Sequence, residues 1–469
     1  MSIESRPNLL LITADDMNWD AVGANGCETE GTTPNLDRLA NEGIRFEHGH
    51  VTIAVCQPSR SAMMTGRYPH KSGGEGFYDL RFPGVPILPE LLRKEGYRVG
   101  ILGKVGHSTP YSDFKWDHML DMNDLGMGRS VSTYRREIET FLDDCGDQPF
   151  FMMANSHDPH RPFVGNDNEE WYDETKLSPP AVPPSRTFSP DEVVVPGFLE
   201  DLPEVRLEIS EYYSSVRRCD DTVGAILAEL EKKGKAENTL ILFLSDNGMA
   251  FPFAKTNCYL NSTKTPFLVR WPAGVKGERV ESGMVSGIDI LPTFLDAAGA
   301  SLPAEVQGRS FLPLLRGEEQ GDREWVYTHF NQNYARGNFP MRAVQSREWL
   351  YVFNPWSDGC KEFKNESMSG RTFKAMKEAA EENPKIAERV ELFLHRVPEE
   401  LYDLRSDPHA RNNLVGDPES SEILDVCRTK LEDEMCRHED PALECFQHRG
   451  DEEKRKAFME EFEETLAGY

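Results

Sequence analysis

Four short apolar runs constrain this chain more than any other feature. NLLLIT (8–13), YRVGIL (97–102), PFFMMAN (149–155) and TLILFL (239–244) are each of strand length and almost wholly apolar. Strands apolar on both sides need cover on both faces, and helical patterns lie between them at 87–95 and 204–233 and after the last at 288–298. Thr33-Pro34 opens a further helix, with a hydroxyl in the capping position and proline at the first turn, and Gly43 closes it. This alternation predicts an α/β fold with a large, mostly parallel mixed sheet sandwiched by helices, and residues 265–271 read as one more strand.

After Gly317-Glu318-Glu319 the pattern changes. Residues 325–330, 349–353 and 400–404 read as short strands that helices do not separate one by one. We therefore expect two domains, a catalytic α/β domain over 1–321 and a smaller α+β domain over 322–469. The second should hold an antiparallel sheet and complete the substrate pocket. The last fifty residues are charged and helical in pattern, as a solvated capping helix would be. The Pro-rich stretch between His160 and Pro203 is expected to form a wall or lid beside the site.

Each of the four apolar runs empties into chemistry. The first leads to Ala14-Asp15-Asp16, the second to Gly103-Lys104-Val105-Gly106-His107, the third to Ser156-His157-Asp158-Pro159-His160, and the fourth to Ser245-Asp246-Asn247-Gly248. In an open parallel sheet, ligands bind at the carboxyl ends of the strands. Asp15, Asp16, Asp246 and Asn247 offer only oxygen donors, which suit a hard dication of the calcium or magnesium type. A lone Asp-Asp pair is ordinarily a helix cap or a turn. Two acidic pairs on one sheet edge argue for a cation, because three buried carboxylates without one are costly.

Cys56 precedes a helical run, SRSAMM, with Pro58 in its first turn and Arg60 one turn on. The positive end of such a helix attracts anions. The surroundings are otherwise acidic: 52 Lys and Arg stand against 80 Asp and Glu, a net charge of -28. That balance repels phosphate backbones and argues against a nucleic-acid partner. No run approaches the ~18 apolar residues of a membrane span, so no membrane partner is expected. Nine scattered cysteines without a CxxC pair fit a reducing compartment. As written the chain is expected to be cytoplasmic, or periplasmic or secreted if a signal has been removed.

The run C-x-P-S-R, four residues and T-G, from Cys56 to Gly66, resembles the signature of the sulfatase family. The Asp-Asp, Lys/His, His and Asp-Asn clusters stand in family order around it, and the likeness extends to ELYDLRSDPHARNNL at 400–414. The resemblance implies an alkaline-phosphatase-like fold and a cysteine converted to formylglycine (3-oxoalanine) by a formylglycine-generating or equivalent maturation enzyme. It also implies one Ca2+ ion held by Asp15, Asp16, Asp246 and Asn247, with the modified Cys56 touching it. Arg60 and Lys104 would position the aldehyde hydrate and His107 would act on it as a base. His160 and Lys255 would hold the sulfate and help protonate the leaving atom. One hydroxyl of the hydrate would attack sulfur, and the second would expel sulfate.

HDPHR (157–161), SDNG-x-x-FP (245–252), TN-x-Y (256–259) and PMR-x-VQ (340–345) are similar to the heparan N-sulfatase, or sulfamidase, branch. This implies hydrolysis of sulfated amino sugars of the N-sulfoglucosamine type, as in heparan and other glycosaminoglycan degradation. Two positions depart from the branch: two residues separate Lys104 from His107 where it usually has one, and Lys255 stands where it has arginine. A forked two-point contact thereby becomes a point charge. Other readings stay open at this level: an O-sulfatase acting on a sugar or aryl sulfate, a phosphate or phosphonate monoester hydrolase, or a catalytically silent sulfoglycan-binding protein. His329 and Arg342 are candidate sugar contacts or else surface polar residues on the small sheet, and His157 is a support for His160 or a substrate contact. His48, His50 and His70 read as structural. Arg60, Lys104, Lys255 and calcium would make a focused positive pit, suited to small, singly sulfated substrates rather than long polyanions.

Overall fold

The computed structural model describes residues 6–165 and 182–467. Ten strands belong to the first two-thirds of the chain. They are β1 (Asn8–Ala14), β2 (Ile44–Phe46), β3 (Gly49–His50), β4 (Arg98–Leu102), β5 (His118–Leu120), β6 (Phe150–Asn155), β7 (Thr239–Ser245), β8 (Phe267–Arg270), β9 (Arg279–Glu281) and β10 (Val285–Ser286). Eight of them form one sheet in the order β5-β4-β6-β1-β7-β8-β2-β9, while β3 and β10 form a separate short pair. Within the large sheet only β8 runs against its neighbours.

The doubly apolar strands are doubly covered. Leu10, Ile12, Met152, Ile241 and Phe243 face helices Val131–Cys145 and Pro203–Lys232. Their alternates Leu9, Leu11, Phe151, Met153 and Leu242 face helices Leu88–Lys94 and Ile290–Ala298, where Met63 and Met64 also pack. Period-two alternation thus sends each strand into two separate cores.

The second sheet is antiparallel in the order β11 (Val326–Gln332), β12 (Asn338–Gln345), β13 (Trp349–Phe353), β14 (Glu399–Asp403). Its inner residues Met341, Ala343, Leu350 and Val352 join the first core of the large sheet. Its outer residues Val344, Tyr351 and Leu401 pack on Leu424, Cys427, Leu431 and Met435 of helix Ser421–Arg437. That helix is therefore a buried layer and not a solvated cap. The description of a cap suits helix Glu452–Leu466, which buries only Phe462 and Leu466.

Two expectations need correction, and four strands were not expected at all. Thr33 does not cap its helix with its hydroxyl, which instead accepts from the Gly23 amide at 2.9 Å and meets Asp37 at 3.2 Å. Strand β12 and the three-residue strands β2, β5 and β9 carry too little apolar pattern to be read, and β12 holds Pro340. The Pro-rich stretch is a strap over its described part: Phe188 packs on Tyr213 and Ser185 bonds Asp221, both on helix Pro203–Lys232. Residues 166–181, the other part of that stretch, lie outside the described residues. All nine cysteines are free, and among the described residues no helix is long and apolar enough to cross a membrane.

Candidate active site

Parallel pairing of β1 with β7, Ala14 opposite Ser245, brings Asp15 and Asp246 to the same edge. β6 adds Asn155 opposite Thr13, and β4 lies beyond it. The chain turns sharply after β1 and β4. Asp16 has φ 69° and Lys104 φ 51°, both left-handed, and Gly103 between β4 and Lys104 has φ 71°. A Cβ at Gly103 would stand 2.4 Å from the Asn155 carbonyl, so only glycine lets β4 deliver Lys104 here.

Arg60 ties these strand ends together. It is fully buried, four positions into helix Cys56–Thr65. Its Nε donates to Asp246 Oδ2 at 2.8 Å, and its Nη1 donates to Thr13 Oγ1 at 2.8 Å and Asn155 Oδ1 at 2.7 Å. Cys56 opens the same helix, with Sγ 3.4 Å from Asp15 Oδ1. Lys104 Nζ is paired with Asp15 Oδ2. Lys255 Nζ lies 2.9 Å from Asp16 Oδ2 and 2.8 Å from Glu366 Oε2. Asn247 donates from Nδ2 to Asp16 Oδ1 at 2.6 Å.

The imidazoles sit on the next wall. His157 and His160 stack at 4.8 Å, with His157 Nδ1 3.8 Å from Asp15 Oδ2 and His160 Nε2 3.9 Å from Asp16 Oδ2. The Arg161 carbonyl accepts from His160 Nδ1 at 2.6 Å, which leaves the Nε2 lone pair facing the pocket. His107 is set apart: its ring meets Phe77 edge-on at 5.5 Å, and among the described residues its Nδ1 has no hydrogen-bond partner.

The His157–His160 turn is held from behind. Asp158 receives Arg129 Nε at 3.1 Å and Arg218 Nε at 2.7 Å, all three side chains being buried. Removing one member of a buried charge cluster leaves the others uncompensated, at a cost of about 3–5 kcal/mol. Asp158→Ala should therefore lose about that much stability in denaturant unfolding. A loss under about 1 kcal/mol would show that the two arginines do not depend on it.

The residues fit a cation. Oxygens of Asp15, Asp16 and Asp246 lie within 4.8 Å of one another, and among the described residues the buried Asn247 Oδ1 has no hydrogen-bond partner. Burial, with neighbouring carboxylates adding to it, lifts Asp16 to about 7 and Asp246 to about 6. Burial also raises Asp15, but Lys104, His160 and Arg60 outweigh it and hold that carboxyl well below its usual range. Burial lowers His107 to about 3 and His160 to about 4, so both imidazoles are neutral. Burial and Asp15 push the Cys56 thiol well up, so it is not a thiolate.

The structure thus brings together Asp15, Asp16, Cys56, Arg60, Lys104, His157, His160, Asp246, Asn247 and Lys255, with His107 beside Phe77 at the edge. It does not bring His329 or Arg342 to the pocket as sugar contacts. Arg342 is 1 % exposed, bonds Asp440 at 2.6 Å and Asn331 at 2.9 Å, and His329 stacks with both Tyr68 and His70, its Nδ1 3.9 Å from Asp440. Both side chains are engaged in a buried seam. Nor are they surface residues of the small sheet, being 1 % and 4 % exposed.

Sequence reasoning missed Glu366, Thr13 and Asn155. Thr13 and Asn155 had a signal, since each is a polar residue at the end of an apolar strand. Glu366 had none: it reaches Lys255 from 111 positions away.

A sheet edge where carboxylates, amines and imidazoles surround a cysteine at a helix start is a site for hydrolysing a compact oxyanion ester. The comparisons name the class more closely. The Sulfatase family model matches residues 7–300, and the model described as N-sulphoglucosamine sulphohydrolase, C-terminal, matches 250–353. The chain belongs to the sulfatase family, and it is an enzyme with sulfatase activity. It is 31% identical to human N-sulphoglucosamine sulphohydrolase over 91% of this chain and 89% of that one. A solved structure of a protein in complex with its substrate D-glucosamine-2-N,6-O-disulfate superposes with TM-score 0.67 at 20% identity, covering 93% of this chain and 98% of that one. The phosphonate monoester hydrolase of Silicibacter pomeroyi superposes with TM-score 0.65 at 19% identity, over 92% and 96% of the two chains. At those identities the two structures show a shared fold.

Proposed function

We propose that this enzyme releases inorganic sulfate from a small sulfated amino sugar, with the N-sulfate of glucosamine as its preferred bond. The observation that carries the reading is the convergence of Cys56, Lys104, His160 and Lys255 on one carboxylate cluster. The choice of amino sugar rests on the 31% identity to the human N-sulphoglucosamine sulphohydrolase and on the C-terminal family match.

Asp15, Asp16, Asp246 and Asn247 would hold one Ca2+ ion, which when bound polarises the sulfuryl oxygens as a Lewis acid. A formylglycine at position 56, made by a maturation enzyme, supplies an oxygen nucleophile that the protonated, buried thiol cannot. The remaining work falls to the chain's own side chains. Arg60 holds Asp246 and the ends of β1 and β6 in place. Lys104 and Lys255 present ammonium groups on either side of the carboxylates and stabilise negative charge on the sulfuryl oxygens. His160, anchored at Nδ1, points its Nε2 lone pair into the pocket, where it can take up a proton and relay it to the leaving atom. His107, neutral and without a competing partner at Nδ1, is free to accept one. Residues 322–469 complete the pocket by contributing Glu366.

Lys255 separates sulfate binding from the rest of the site. Lys255→Ala should lower kcat/KM by about 10²–10³, the usual loss on removing a group that stabilises transition-state charge. Lys255→Arg, which restores the fork of the sulfamidase branch, should keep most of the activity. Steady-state kinetics on N-sulfoglucosamine checks both, and an unchanged Lys255→Ala would remove this residue from the sulfate pocket.

A further inference from the structure

We infer that Glu366 sets specificity at this site, admitting a hydrogen-bond donor beside the scissile sulfate and excluding a second anionic group there. The inference rests on the sulfated amino sugar reading above and concerns what surrounds the scissile group.

Glu366 opens the short turn Glu366–Ser369, between β13 and helix Arg371–Ala380. The turn is fastened to the loop that carries Lys255: Asn365 Nδ2 donates to Thr256 Oγ1 at 2.7 Å, and Ser367 Oγ to Asn365 Oδ1 at 2.7 Å. Its carboxylate bridges the two groups assigned to the sulfate, with Oε2 2.8 Å from Lys255 Nζ and Oε1 3.5 Å from His160 Nε2.

Exposure orders these groups by depth. The side chain of Asp16 is 0% exposed, Lys255 4%, His160 21% and Glu366 35%. Glu366 is therefore at the rim, where the remainder of the substrate lies once its sulfate is against Lys255 and His160. A carboxylate accepts hydrogen bonds and donates none. A neighbouring hydroxyl or ammonium satisfies it, whereas a second sulfate meets a like charge at short range, an arrangement that discriminates between ligands by repulsion. A carboxylate that merely steadied Lys255 would affect all substrates alike.

The test compares glucosamine N-sulfate with glucosamine 2-N,3-O-disulfate, whose second sulfate is on the carbon next to the scissile group, using converted full-length enzyme and its Glu366→Gln variant. The wild type should favour the monosulfated sugar in kcat/KM by about tenfold or more. The variant should reduce that ratio about tenfold, chiefly through the disulfated sugar, while its thermal midpoint confirms that it is folded. A wild-type ratio near one, or a ratio unchanged in Glu366→Gln, would overturn the inference and leave the N-sulfatase reading standing. Release of O-sulfate alone would instead overturn the N-sulfatase reading. The same ratio between mono- and di-O-sulfated glucosamine then tests Glu366 with the same two outcomes.

Discussion

Cys56→Ala should abolish sulfate release, with kcat falling by about 10⁴-fold or more, as when a covalent nucleophile is removed from a site that still binds substrate. The substitution is small, and among the described residues the one hydrogen bond of the Cys56 side chain is the long one to Asp15 at 3.4 Å. Stability should therefore change little, and the variant should still bind sulfated sugar. Unconverted wild-type protein should be nearly as inactive, because burial and Asp15 keep the thiol protonated. Activity should thus scale with the fraction of Cys56 found as aldehyde by mass spectrometry. Substantial turnover by Cys56→Ala would show that the nucleophile is elsewhere.

The second large effect is on stability and follows from the carboxylate cluster. In chelator, Asp16 and Asp246 are raised by burial to about 7 and about 6, so the folded state binds more protons than the unfolded state above pH ~4. The contribution of these two carboxyls to the stability of the cation-free protein should then fall as pH rises from about 4 to about 7, while the buried imidazoles His107 and His160, lowered to about 3 and about 4, contribute with the opposite sign up to their ordinary range. Asp15, held low, contributes with the opposite sign, and only at lower pH. Calcium should reverse the loss, adding about 2.7 kcal/mol when present at a hundred times its dissociation constant. Asp246→Ala should lose the calcium response. It should also cost about 3–5 kcal/mol by leaving the buried Arg60 without its carboxylate. Thermal unfolding at pH 5.5 and 8, with chelator and with calcium, reads all three effects. A protein indifferent to calcium at both pH values would contradict the assignment.

Much of the catalytic layer was legible because period and polarity agree there. β1, β4, β6 and β7 are apolar runs ending in charged residues, and in a parallel sheet all such ends share an edge. What escaped reading depends on distant pairing. β2, β5 and β9 are three residues long and owe their conformation to neighbours. β12 holds Arg342 and Gln345 facing a buried seam, so its pattern resembles neither a half-exposed nor a doubly buried strand. His329 and Arg342 looked like sugar ligands because their charge is visible in sequence, whereas their partner Asp440 is about a hundred residues away. Glu366 failed in the opposite direction. One glutamate in a charged stretch of chain becomes part of the pocket only when the turn before helix Arg371–Ala380 folds onto the Lys255 loop.

The most direct test is sulfate release by protein co-produced with a formylglycine-generating enzyme. It would be measured as kcat/KM on N-sulfoglucosamine, 6-O-sulfated N-acetylglucosamine, an aryl sulfate and an aryl phosphate. The account predicts sulfate release with N-sulfoglucosamine the best of the four. Faster turnover of the aryl phosphate, or no release from any of them with Cys56 verified as the aldehyde, would contradict it.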